Sequence, residues 1–139
     1  MIFLNKYPSI KLNSGIKIVN YSSPHTYKFH TGEELPACSD EVAQDTKLEA
    51  HHDKDKNDKG WYDITIFYTL SEMQKKELPM LAEFNEIDII LVPFPVLNCI
   101  RFDGNYLSNK KWSTAFNKIR VCKLDDRITK VIRSDEFCV

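Results

Sequence analysis

The stretch KIRVCKLDDRITKVIRSD, residues 118–135, sets six cations and three acids around a few branched apolar residues. Cations beside an apolar stripe can line a pocket wall with stems packed and heads free, which suits a phosphorylated ligand. Read as a helix, residues 123–131 put Leu124, Ile128 and Val131 on one stripe. Lys123, Arg127 and Lys130 then fall on the next stripe, at i, i+4 and i+7. Arg120, three residues before Lys123, reaches the same place, and an arginine fork grips phosphate at two points. The ordinary alternative is a surface helix that neutralises itself, with Asp126 paired to Lys130 and Asp125 in the first turn. Ile128, Thr129, Val131 and Ile132 are β-branched and leave a strand reading open as well.

Other chemistry is thinner. His51, His52, Asp53, Asp55 and Asp58 crowd together without the spacing of a calcium loop, and adjacent histidines do not converge naturally on one ion, so no metal site is expected. His25 and His30 are each followed directly by a threonine, whereas a two-histidine phosphodiesterase needs its hydroxyl two places on. Either histidine remains a candidate general acid or base. No GxSxG elbow, GxxxxGK[ST] loop or GxGxxG loop occurs, so phosphate recognition falls to side-chain cations. Aromatic partners for a base are plentiful. Phe94 is held between two prolines, while Phe102, Tyr106 and Trp112 flank an Asp-Gly turn, and a purine stacked on such a ring leaves its phosphates to nearby arginines such as Arg101.

These residues belong to a chain of 139, enough for one domain with a real core (1–139). With 42% hydrophobic and 28% charged residues its composition is that of a soluble globular protein. The longest apolar run, IDIILVPFPVLNCI, is too short for a bilayer and holds two prolines and an aspartate, so no membrane partner is expected. The N-terminus lacks the pattern of a secretory signal. Cys38, Cys99, Cys122 and Cys138 form no CxxC pair and read as reduced structural thiols of a cytoplasmic protein. The net charge of −1 hides an asymmetry: residues 31–60 carry nine acids against four lysines, and residues 101–134 nine cations against three acids. A basic third in a near-neutral chain points to a small anionic partner rather than duplex nucleic acid, or to pairing with the acidic segment within or between subunits.

The elements that must position these groups are partly legible. IKIVNYSS and HTYKFH predict an N-terminal β-meander, and Ser39 with Asp40 and Glu41 resembles a helix start. HHDKDKNDKG has no apolar residue and predicts an exposed loop or hairpin tip. WYDITIFYTL alternates, with Tyr62, Ile64, Ile66, Tyr68 and Leu70 on one face, and predicts a strand. Ser71 and Gln74 have capping-box spacing before a helix that Pro79 must kink or split. IDIILV predicts a buried strand, Pro95 can open a short helix, and WSTAF, KIRVC and DEFCV are further strand candidates. The fold class expected is α+β, a mainly antiparallel β-sheet with one longer helix over about residues 72–84 and short C-terminal helical segments.

Three stretches, IVNYSSPHTYKF with GEELPACSDEVA, DIILVPFPVL, and RVCKLDDR, resemble in order and content the first Thoeris anti-defence family of bacteriophage proteins. The resemblance implies a sponge that binds a cyclic ADP-ribose signal without cleaving it and needs no cofactor. It implies homo-oligomers with ligand at subunit contacts. It also implies an aromatic ring and an asparagine around the adenine, for which Phe94 and Asn105 are the counterparts, and a basic pair, for which Lys123 and Arg127 are. Arg101 and Arg120 are added from charge and spacing. The same basic surface offers a place for cyclic oligonucleotides. Two rivals stand beside this expectation: a nucleotide hydrolase using His25 or His30 with carboxylates, and a structural or protein-binding phage component.

Overall fold

The structure, a computed structural model, describes residues 6–101, 106, 109–126 and 131–139. A five-stranded mixed sheet forms its centre. The strands, in chain order, are β1 (Ser9–Lys11), β2 (Lys17–Asn20), β7 (Ile89–Leu91), β8 (Ile119–Asp126) and β9 (Val131–Cys138), and they lie in the order β1-β2-β7-β8-β9. β2, β7 and β8 run parallel, while β1 and β9 are antiparallel edges. Two further antiparallel ribbons are inserted between β2 and β7: β3 (Tyr27–Lys28) with β4 (Glu34–Leu35), and β5 (Glu49–Lys56) with β6 (Tyr62–Thr69). The helices are α1 (Asp40–Asp45), α2 (Glu72–Ala82), α3 (Phe94–Arg101) and α4 (Lys110–Phe116). The α+β class with mostly antiparallel pairing holds.

Parallel strands need cover on both faces, and the sequence of the central ones supplies it. Ile18 of β2 and Leu91 of β7 face Leu12, Phe29 and Leu35, so the β3–β4 ribbon caps one side. Val19 and Ile90 face the other side, with Leu78 and Leu81 of α2, Leu97 and Ile100 of α3, and Ala115 of α4. α2 starts as its residues require. The Ser71 hydroxyl accepts from the Gln74 backbone N–H, and the Gln74 side chain accepts from the Ser71 N–H. The Gln74 amide also donates to the Thr46 carbonyl at 2.8 Å, which ties α2 to the end of α1.

Several expectations change or are narrowed. Residues 123–126, read as helix or strand, belong to β8, and Val131 opens β9: Leu124 pairs with Ile132 and Asp126 with Val131, while β7 holds the start of β8 at Ile119 and Arg120. WSTAF is helical in α4, where Trp112 and Ala115 turn to the core. Of the loop or hairpin tip expected over HHDKDKNDKG, the structure shows a hairpin, but one in which HHDKDK is itself strand. β6 provides the apolar side chains and the backbone partners, and Asn57 to Gly60 alone make the turn, with Gly60 at φ +103. Among the described residues the expected N-terminal meander is absent, since β2 pairs with β1 and β7 while β3 pairs with β4. Pro79 does not split α2, which runs through it to Ala82.

Two measurements follow from this packing. Gln74→Met keeps volume but strands the Ser71 N–H and the Thr46 carbonyl, and urea unfolding is expected to register a loss of about 2–3 kcal/mol. Burial, with Cys138 nearby, pushes the Cys122 thiol up to about 12, whereas Cys138 is exposed. Iodoacetamide at about pH 8 should therefore alkylate Cys138 in the native protein and reach Cys122 only after urea, as read by peptide mass.

Candidate functional site

β2 and β7 end at the same edge of the sheet, and the chain leaving each one must diverge there. Outside the carboxyl ends of neighbouring parallel strands is where open sheets form ligand crevices. Here that position holds a cleft of about 540 Å³, inside the range of small-molecule sites. Its walls come from four segments distant in sequence: Ser22 and Pro24 after β2, Asp40 to Leu48 on and after α1, Tyr68 from β6, and Pro93, Pro95 and Val96 after β7.

Each wall is fixed by identifiable bonds. The buried Asn20 side chain accepts from the Ser23 N–H at 3.1 Å and donates to the Ser23 and Pro36 carbonyls. Tyr21 N–H donates to Leu91 O at 2.9 Å, and Cys38 N–H to Ser23 O at 2.8 Å, which locks the loop against β7 and the approach to α1. Ser39 caps α1 by accepting from the Val42 N–H. The Cys99 thiol donates to the Tyr68 carbonyl, tying the base of the β5–β6 ribbon to α3. Val96 and Leu97 N–H both donate to Pro93 O, so the opening turn of α3 is closed on itself.

Ser22 stands out. It is buried, lines the cleft and has φ +79, in the left-handed region where a side chain crowds its own backbone. Such strain concentrates at sites where the surrounding bonds over-determine the backbone, and the Asn20 clamp supplies them here. The cleft is mostly apolar, with Pro24, Leu48, Pro93 and Val96 contributing, and among the described residues its ionic groups are one acid and one base, Asp40 and Lys47. Gln44, Thr46 and Ser22 add neutral polar groups. Burial and the neighbouring Cys38 push the Tyr21 phenol up, and its ring is a core group tilted against Tyr7 with centroids 4.8 Å apart.

Of the residues singled out from the sequence, Phe94, Arg101 and Arg120 are described with their side chains, and they occupy different places. Phe94 lies in sequence between two lining prolines, does not itself line the cleft, and is 56% exposed. Arg101, on the same helix, is exposed at its far end. The Arg120 guanidinium turns inward: it donates to the Phe116 and Ile119 carbonyls at 2.9 and 2.8 Å and caps the end of α4, and burial draws its pKa down. Lys123 is carried on β8, which continues past the end of β7 because Leu91 pairs with Arg120. Asn105 and Arg127 lie outside the described residues. His51 and His52 point to opposite faces of β5, as successive strand residues must, and His30 Nδ1 accepts from the Ser134 N–H.

Gln44, Lys47 and Tyr68 carried no local signal. Their residue types are ordinary, and only the fold brings them beside the Pro-Phe-Pro segment. No protein-family model matches the chain, and no curated protein or solved structure matches it either. The strain at Ser22 is testable: Ser22→Gly should leave the protein as stable or up to about 1 kcal/mol more stable in urea unfolding, where a serine-to-glycine change at an ordinary backbone position destabilises.

Proposed function

We propose that this protein is a phage anti-defence protein. In this reading it binds a small phosphorylated nucleotide of cyclic ADP-ribose type in the host cytoplasm and withholds it without cleaving it. The observation that carries the reading is the cleft beyond β2 and β7, sized for a nucleoside and walled by Pro24, Leu48, Pro93 and Val96. A purine entering it meets apolar faces on both sides. Asp40 accepts from an exocyclic amine and Gln44 offers donor and acceptor to the ring edge, while the exposed Phe94 ring closes the mouth by stacking. Lys47 then meets the first phosphate, and the second extends toward the end of the sheet where β8 carries Lys123. In this reading Arg127 and Asn105 complete the anion and base contacts, as the resemblance implies, and Arg101 contributes only a diffuse positive field.

A sponge needs affinity and slow release. Titration calorimetry with cyclic ADP-ribose should give a dissociation constant of about 1 µM or below. After denaturation, mass spectrometry should recover the nucleotide intact. Product in excess over protein would establish the hydrolase reading instead, and absence of both heat and thermal stabilisation would leave the protein-binding one. Ala43→Trp, which fills the cleft from the partly exposed face of α1, should weaken binding by at least about 100-fold with little change in melting temperature.

A further inference from the structure

The β5–β6 ribbon is an arm. Its two strands pair with each other along their whole length and with no other described strand. Along the chain the charges of HHDKDK cancel, but a strand sends successive side chains to opposite faces, and here that sorts acid from base. One face carries Glu49, Asp53, Asp55 and Asp63, with no lysine or arginine. The other sets Lys54 opposite Ile64 and Lys56 opposite Tyr62, adds His52, Ile66 and Tyr68, and holds no acid. On this second face Tyr62, Ile64, Ile66 and Tyr68 are 52, 60, 56 and 57% exposed, and Lys54 is drawn over the Tyr62 ring at 4.2 Å. The rings of the acidic face are engaged instead: His51 stacks on Phe67 at 5.1 Å and hydrogen-bonds to Thr69.

We infer that the cationic, apolar face of the arm docks on a lipid surface bearing anionic headgroups, with the ribbon lying flat and its acidic face toward water. Charge complementarity and side-chain type select this occupant. A nucleic acid strand stacks its bases on rings, but the two tyrosines stand roughly 20 Å apart with only isoleucine between them. A partner β-strand adds at the open edge of β5 or β6 and leaves the apolar row in water. A lipid surface engages every group. Ile64 and Ile66 enter the acyl boundary, while the tyrosines, apolar in body and polar at the tip, stay at headgroup depth. Lys54 and Lys56 lay their stems along the row and bring their ammonium groups to phosphate.

Apolar burial and basic charge are the two signals that reversible surface anchoring combines. The four acids point away from the bilayer, and screening over about 8 Å at physiological salt keeps their repulsion weak. A contact of this kind needs no spanning helix, and none of the described helices is long and apolar enough to cross a membrane.

Co-sedimentation of the full chain with phosphatidylcholine vesicles, with and without about 30% phosphatidylserine, tests the docking. At about 1 mM lipid the protein is expected to pellet with the anionic vesicles, and to stay in solution at about 0.5 M salt or without the serine lipid. Each lysine near the surface contributes about fivefold, so Lys54→Gln with Lys56→Gln should weaken the partition at least about tenfold. Ile64→Thr with Ile66→Thr, which keeps branched strand residues, should weaken it as much with the far-ultraviolet dichroism unchanged. Should that variant lose its dichroism, Tyr62→Glu at the arm's tip, remote from the core, gives the same answer. Asp53→Asn with Asp55→Asn, on the far face, should keep the partition or raise it. No pelleting at about 5 mM lipid, equal pelleting without the anionic lipid, or a partition indifferent to the lysine pair or the isoleucine pair overturns the inference. A wild type that ignores vesicles and binds a single-stranded oligonucleotide through the same lysines overturns it in favour of nucleic acid.

Discussion

The parallel pairing of β2 with β7 is the constraint on which the rest of the molecule depends. Ile18, Val19 and Asn20 align with Ile89, Ile90 and Leu91, and no short turn can join strands that run the same way. The chain must therefore leave the sheet and return, and that excursion holds the β3–β4 ribbon, α1, the arm and α2. Because both central strands are apolar on both faces, the excursion also has to cover two sides. The β3–β4 ribbon takes one, and α2, with α3 and α4 of the next crossover, takes the other.

The same pairing opens the cleft. Two chains that stop side by side and then diverge leave a gap, and the Asn20 side chain holds one of its lips against the other. The strain at Ser22 and the double proline around Phe94 are the local costs of that divergence. Charge plays a small part inside the cleft, where Asp40 and Lys47 balance, so apolar burial supplies most of what it offers a ligand. The basic third of the chain is put to a different use at Arg120, whose guanidinium satisfies carbonyls at the end of α4.

The arm shows how one run of sequence can serve two environments. HHDKDK carries almost no apolar side chain of its own, yet it is strand because β6 gives it a complete set of backbone partners. The acidity concentrated in residues 31–60 falls in part on one face of this ribbon, through Glu49, Asp53 and Asp55, and leaves the opposite face to tyrosine and isoleucine. A fold stable enough to hold such a ribbon away from its core does so through bonds at the base, from the Cys99 thiol to Tyr68 and from the buried Leu70 to the helices.

Local chemistry was readable in the sequence where it is complete within a few residues. The Ser71–Gln74 capping box, the Ser39 cap, the alternation of β6 and the apolar run of β7 each depend on neighbours along the chain, and each is present as read. Residues 123–126 were ambiguous because the segment they open satisfies both helix and strand patterns, and the β9 ladder, with Leu124 opposite Ile132 and Asp126 opposite Val131, decides for strand. Phe94 was legible as a ring on a rigid turn, but Ser22, Gln44, Lys47 and Tyr68 were not, since a cleft wall assembled from four distant segments leaves no mark on any one of them. The sequence by itself determined the class of elements, the acid–base asymmetry and the alternation of β6. Tertiary structure alone decided which strands run parallel, and with that where the cleft opens and which face of the arm is left uncovered, because those outcomes depend on pairing partners far apart in the chain.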